Sequence, residues 1–171
     1  VVMPDNAPQA KKDAVISYGA TVVYCEPTMA AREATVTNLI AQSGASLVHA
    51  YDDNRIIAGQ GTAALETLSQ IGQPIDILMA PVGGGGLLGG SAVVVKQSLE
   101  SGSTLVIGAE PEMANDAWQG YKSGVRVTKS APNTIADGLR ATLGGRNFEI
   151  ITEQVDDILL ASEARIVEAM K

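Results

Sequence analysis

Pro81-Val82-Gly83-Gly84-Gly85-Gly86-Leu87-Leu88-Gly89-Gly90 is the stretch that decides how this chain folds. It follows the apolar run Ile75 to Ala80, read as a buried strand, and opens a helix predicted to end near Glu100. Four consecutive glycines cost heavily in chain entropy, so packing alone seldom explains them. Without Cβ atoms the backbone can curl and aim several N–H groups at one anion. The unpaired N–H groups and dipole of the following helix start add to that attraction. The alternatives are a phosphate cradle and a tight strand-to-helix turn.

Outward from the loop, strands and helices alternate. Val1-Val2-Met3 reads as a strand, Ala7 to Tyr18 as a helix stopped by Gly19, and Thr21 to Tyr24 as a strand. Thr28 is placed to cap a helix running to about Ser43, closed by Gly44. Leu47-Val48-His49 reads as a further short strand. Ile57, Gly61, Ala64, Leu65 and Leu68 recur at helical spacing up to Gln70. Downstream come strand Leu105 to Ala109, an acidic loop, a short helix around Trp118, a loop-rich stretch from Ser130 to Gly145, and strand Asp157 to Leu160. The pattern predicts an α/β fold, a mainly parallel sheet with helices on both faces. Gly44, Ser46 and Asp52-Asp53-Asn54 bracket a domain junction between residues 44 and 54.

Composition excludes several classes. The 171 residues are 46% hydrophobic and 18% charged, enough to bury a core and too apolar for a disordered chain. A net charge of −7 argues against nucleic acid and against a polybasic membrane anchor. No apolar run has the length of a membrane span, and no signal peptide opens the chain, so a cytoplasmic location is expected. The single Cys25 excludes an intramolecular disulfide and a cysteine-based zinc site. The strand at the first residue and the unfinished helix from Ser162 to Lys171 predict a segment of a longer polypeptide.

Read by pattern, Gly84-x-Gly86-x-x-Gly89 fits the dinucleotide fingerprint, with Glu110 where a ribose-binding acid would stand. Against that reading, the fingerprint asks for no run of four glycines, and the unit falls mid-chain. Glu110-Pro111-Glu112-Met113-Ala114-Asn115-Asp116 could offer oxygens to a hard cation. It could equally cap the helix of Trp118 through Asn115 or Asp116. Thr134 to Arg140 reads as a capped turn, and His49 and Cys25 as strand-end or core residues.

Val82 to Leu87, with Ala58-Gly59-Gln60-Gly61-Thr62 upstream and Thr134-Ile135-Ala136-Asp137-Gly138 downstream, resembles the fold-type II pyridoxal-phosphate enzymes. Within them it is similar to the serine racemase/threonine dehydratase group. Val2 to Pro8, Tyr18-Gly19-Ala20, Cys25-Glu26-Pro27 and Asp156-Asp157-Ile158 fit the same group. The resemblance implies a tryptophan-synthase-β-like fold, incomplete here, with residues 1–48 ending the small domain and 49–171 belonging to the large cofactor-binding domain. It implies that Gly83, Gly84, Gly85, Gly86 and Leu87 hold the phosphate of pyridoxal 5'-phosphate, that Gly138 lies beside its ring, and that Tyr51 stands near it. It also implies that Glu110, the carbonyl of Ala114, and Asp116 bind Mg²⁺ or Ca²⁺.

The family's Schiff-base lysine sits in a Ser-x-Lys-x-Arg-Gly-like string. None of Lys11, Lys12, Lys96, Lys122, Lys129 and Lys171 has that context, so no catalytic residue is expected in this chain and the segment alone is expected to be inactive. The implied enzyme is a homodimer in which Cα deprotonation of a serine- or threonine-type hydroxy amino acid leads to dehydration and deamination, to racemisation, or to both. The competing readings are an NAD(P)-binding domain using Gly84, Gly86, Gly89 and Glu110, and a non-catalytic structural fragment.

Overall fold

The computed structural model describes residues 1–98 and 104–171. The helix end expected near Glu100 lies outside the described residues. The chain divides into two compact units, Val1–Val48 and His49–Lys171.

In the first unit, β1 (Val2–Pro4) and β2 (Val23–Cys25) pair in parallel, Met3 opposite Tyr24. Helix α1 (Gln9–Ser17) makes the crossover and α2 (Met29–Ser43) follows β2. Thr28 caps α2 as expected, its hydroxyl accepting from Ala31 N at 3.1 Å. Gly44 closes the helix in the left-handed region, at φ 70°. The strand expected at Leu47-Val48-His49 does not form. Leu47 and Val48 stay exposed, and the His49 ring instead accepts the N–H groups of Tyr51 and Asp52 at Nδ1. An isolated extended run gains nothing without a ladder to join.

The second unit is built on a parallel sheet of order β3-β4-β5, from Ile77–Pro81, Leu105–Pro111 and Asp157–Ala161. Helix α3 (Asn54–Ile71) precedes the sheet, α4 (Gly86–Gln97) joins β3 to β4, and α5 (Asp116–Ser123) and α6 (Gly145–Gln154) lie between β4 and β5. A last helix, α7 (Glu163–Ala169), follows β5. Side chains alternate along each strand. Val82, Val106, Leu88, Leu143, Ile151 and Ile158 form the buried core with Ala80, Ala92 and Ala117. On the opposite sheet face Ile77, Met79, Leu105 and Leu159 remain about half exposed (54%, 55%, 45% and 49%). The expected parallel α/β sheet with helices is observed; among the described residues the helices pack on the Val106 face, α4 on β3 and β4 and α5 on β5, and the second face, also expected to be covered, stays half exposed.

Helix α4 is held close to α3 because both carry glycine at the crossing. A Cβ on Gly61 would fall 2.8 Å from Gly90 O, and one on Gly90 would strike Ile57 O. Ile57, Gly61 and Ala64 are the buried face of α3, at the spacing the sequence predicts, whereas Leu65 of the predicted stripe is exposed. Gly61→Ala should therefore destabilise the fold by about 1–3 kcal/mol through overpacking. Gly59→Ala on the open side of the same helix, where an added Cβ meets nothing within 4 Å, should stabilise it by about 0.5–1 kcal/mol. Thermal or denaturant unfolding of the two variants checks the contrast, and equal effects would refute the close-approach account.

Candidate functional site

Strand β3 delivers the chain into the glycine loop at the carboxyl end of the sheet, where open α/β folds place their ligands. Val82 N donates to Ala109 O at 2.9 Å, the last ladder bond before the loop. Gly85 takes φ 91°, closed to side chains, and its N-cap carbonyl accepts Gly89 N at 2.8 Å to start α4. Among the described residues, no N–H group from Gly83 to Leu88 donates to a protein acceptor. Six successive N–H groups thus lack a protein acceptor among the described residues, those of Gly86, Leu87 and Leu88 in the first turn of α4 at the helix's positive end.

Neighbouring segments press against this loop. The ring of Tyr51 lies across Gly84, so that a Cβ there would run into it, and its edge meets His49 at 5.1 Å. A Cβ on Gly85 would meet Leu143 Cδ1 at 2.5 Å and Asn147 Cβ at 2.8 Å. On the other side, the 3-10 turn Asp137–Leu139 approaches, with Gly138 O and Leu139 Cα 3.3 and 3.2 Å from where a Cβ of Gly83 would stand. That turn is capped as read: Ala136 N donates to Thr134 Oγ1, and Arg140 donates to the Thr134 carbonyl at 2.6 and 3.1 Å. Glu163 at the start of α7 accepts Ile135 N at 2.8 Å. The fold therefore brings Gly138 beside the loop, and a Cβ at Gly138 would face open space.

The acidic stretch forms a second cluster. Glu110 ends β4 buried, at 2% exposure, and its two carboxylate oxygens accept Ala117 N (2.9 Å) and Trp118 N (2.7 Å). Those are the donors an N-cap normally serves. The cap expected from Asn115 or Asp116 is thus supplied seven residues upstream of Ala117, from the strand. Asn115 occupies the cap position without a side-chain cap bond. Asp116, at 4% exposure, accepts Leu143 N at 2.8 Å. Because Glu110 takes Trp118 N, the carbonyl of buried Ala114 is left without a protein donor among the described residues. A cavity of about 230 Å³ opens beside Ala114 and Asp116, with Gln119, Lys129 and Ser130 in its wall.

Burial pushes Glu110 up to about 7; the two helix N–H groups pull it down and the Asp116 charge pushes it up again. Burial raises Asp116 as well, against the N–H of Leu143. Glu112, the third acid of the stretch, is exposed, and among the described residues no three acids, histidines or cysteines converge. The two buried acids of the stretch, Glu110 and Asp116, are near enough for the charge of one to act on the other.

Other expected and unexpected residues also have places. Lys96 and Lys122 are bound to Asp156 and Asp157, each at 2.7 Å. Cys25 Sγ lies against Met3 O in the first unit. The dinucleotide reading needs Glu110 free to receive a ribose, but both its oxygens already serve α5. Sequence reading missed Asp52, whose carboxylate accepts Gly145 N and Arg146 N, both at 3.0 Å. It also missed Asn147, fully buried and bonded to Gly84 O. Both partners are more than 60 residues away, with no local signal for them.

In parallel α/β units, a strand-to-helix glycine loop with open N–H groups stands at the sheet end where such folds take up anionic ligands. The chain belongs to the pyridoxal-phosphate-dependent enzyme family, whose model matches residues 1–171. It is 44% identical to the β-hydroxyaspartate dehydratase of Paracoccus denitrificans (strain Pd 1222) over 100% of this chain and 53% of that protein. Its fold superposes on maize serine racemase with a TM-score of 0.93, at 36% identity, over 99% of this chain and 50% of that one. It superposes on the T.th. threonine deaminase with a TM-score of 0.89, at 46% identity, over 99% and 55% of the two chains. The chain thus spans about half the length of these relatives. No helix among the described residues is long and apolar enough to cross a membrane.

The raised Glu110 gives a pH signature. A carboxyl that binds its proton more tightly folded than unfolded stabilises the fold below the ordinary 4.5 and loses that contribution as pH climbs through about 7. Asp53, Asp156 and Asp157, held low by Arg55, Lys96 and Lys122, act only below 3.8 and leave this window clear. Without added cations, the melting temperature should fall across that window. A flat or rising profile would refute the buried-carboxylate account.

Proposed function

We propose that this chain is the phosphate-holding part of a pyridoxal-phosphate-dependent ammonia-lyase or racemase acting on serine- or threonine-type hydroxy amino acids, hydroxyaspartate among them. The observation that carries this reading is the row of six unpaired N–H groups from Gly83 to Leu88, within a fold shared with that enzyme family. The donors Gly83, Gly84, Gly85, Gly86 and Leu87 suit a phosphate dianion: charge-assisted, numerous and fixed before the ligand arrives. Gly138, beside the loop and without a Cβ, leaves room for a flat ring. When bound, pyridoxal phosphate supplies the electron sink that makes the Cα proton of an amino acid acidic.

In this reading the chain's own residues bind and orient; they move no proton. Lys96 and Lys122 are engaged with Asp156 and Asp157. The catalytic lysine, and the choice between β-hydroxyl loss and reprotonation at Cα, belong to parts of the enzyme outside this chain. Residues 1–48 fit the end of a small domain and 49–171 the cofactor domain. The reading includes a small amino-acid substrate, a homodimer and a cytoplasmic location, with no role in binding nucleic acid or membrane.

Glu110, Asp116 and the Ala114 carbonyl fit a hard cation, Mg²⁺ or Ca²⁺. Two buried like charges repel, and the orphaned carbonyl turns the same pair into an all-oxygen set. Asp116→Asn should abolish the stabilisation that Mg²⁺ or Ca²⁺ gives in a thermal melt. An unchanged response would remove the cation from the proposal.

The cofactor reading is tested by equilibrium dialysis of the apo form of the polypeptide carrying this chain against pyridoxal phosphate, pyridoxal and NAD. At about 1.5–3 kcal/mol per charged hydrogen bond, the phosphate should give a preference of about 100-fold or more over pyridoxal. Retention of NAD, or of neither pyridoxal, would refute it. Release of ammonia from L-serine, L-threonine and hydroxyaspartate, set against formation of D-serine, then assigns the reaction.

A further inference from the structure

Asp52 and Asn147 have no role in the cofactor reading above, yet both converge on the glycine loop. Asn147 sits in the first turn of α6, fully buried, and its Nδ2 donates to Tyr51 O at 3.0 Å and Gly84 O at 2.9 Å. Both neighbours are carbonyls, so only this orientation of the amide is compatible with the site. Its Oδ1 is left buried without a hydrogen-bond partner among the described residues, so both bonds of this amide run through its nitrogen. Gly84 O receives a second donor from the same turn, Gly144 N at 3.1 Å.

That turn is itself held from a distance. Gly144, at the cap position of α6, has no side chain to serve the helix start. Asp52 does so instead: Oδ2 accepts Gly145 N at 3.0 Å, and Oδ1 accepts Arg146 N at 3.0 Å and Asn147 N at 3.4 Å. A carboxylate on three N–H groups at the positive end of a helix fixes that turn firmly. The helix cannot shift without carrying Asn147 off Gly84.

The consequence lies in one peptide plane. In a trans peptide the carbonyl of residue 84 and the N–H of residue 85 point in opposite directions. With Gly84 O tied by two donors to α6, the Gly85 N–H must face away from α6. Glycine has little conformational preference of its own to hold the plane there. We propose that Asp52 and Asn147 are positioning residues for the phosphate cradle: Asp52 fixes the first turn of α6, and Asn147 uses that turn to lock the Gly84–Gly85 peptide with its N–H presented to the cofactor phosphate. This inference rests on the cofactor reading above.

The test compares two ligands that differ only in the phosphate, in the apo form of the polypeptide carrying this chain. Affinities for pyridoxal phosphate and pyridoxal are measured by quenching of intrinsic fluorescence for wild type, Asn147→Ala and Asp52→Asn. Asn147→Ala should weaken pyridoxal phosphate about tenfold, one charged hydrogen bond's worth, and leave pyridoxal unchanged. Asp52→Asn should move the ratio in the same direction by less, since the amide retains one acceptor. Equal weakening of both ligands would mean a merely structural role, and an unchanged ratio would mean that the peptide plane holds itself; either overturns the inference. Should Asn147→Ala fail to fold, the Asp52→Asn ratio decides. A wild type that does not prefer the phosphorylated ligand would overturn the cradle reading, and this inference with it, before any variant is considered.

Discussion

Six backbone N–H groups without protein acceptors among the described residues, from Gly83 to Leu88, are the constraint on which the second unit depends. A buried or half-buried amide left without a partner is costly, of the order of 1–3 kcal/mol each, and folded chains keep few of them. Here they stand in a row because the surroundings leave the backbone no alternative. Val82 is tied to β4, Gly85 starts α4, Tyr51 covers Gly84, and Leu143 with Asn147 fills the space where Gly85 would carry a Cβ. The core formed by Val82, Leu88, Val106 and Ile158 holds the strand and helix that flank the loop. Packing thus fixes a row of N–H groups that lack protein acceptors among the described residues.

A second unsatisfied feature, of opposite sign, lies close by along the chain path. Glu110 and Asp116 are buried acids, and with Trp118 N turned to Glu110 the carbonyl of buried Ala114 has no protein donor among the described residues. The two features share a connector. Leu143 donates its N–H to Asp116 while its side chain packs on Gly85, and the next residue, Gly144, donates to Gly84 O. Arg126 holds the Leu143 carbonyl at 2.9 Å from a third direction. Leu143 and Gly144 thus join Asp116 to the glycine loop through two successive backbone N–H bonds.

Much of this is legible in the residues, and the limits have physical causes. Thr28 and Gly44 bound α2 because a cap and a left-handed stop act within four residues. The glycine run marks its own loop because nothing but close backbone approach requires it. The Leu47 to His49 strand misleads because an apolar run reports burial potential, whereas a strand also needs a ladder. The cap of α5 escapes sequence reading for a related reason: capping chemistry is local by habit, yet Glu110 reaches it through the strand end. Asp52 and Asn147 are invisible since hydrogen bonds across more than 60 residues leave no spacing to read.

The fingerprint Gly84-x-Gly86-x-x-Gly89 with a downstream acid shows how far a pattern can go. It marks a loop whose glycines answer to close protein neighbours, the Tyr51 ring at Gly84, Tyr51 O at Gly86 and Asn147 Oδ1 at Gly89. It fails at Glu110, whose role depends on where its oxygens find donors. In a dinucleotide site that carboxylate would face the ligand. Here it turns inward to α5, takes two N–H groups, and in doing so frees the carbonyl of Ala114. The glycines leave a row of open backbone N–H groups; the two N–H bonds taken by one buried carboxylate decide against a ribose beside it.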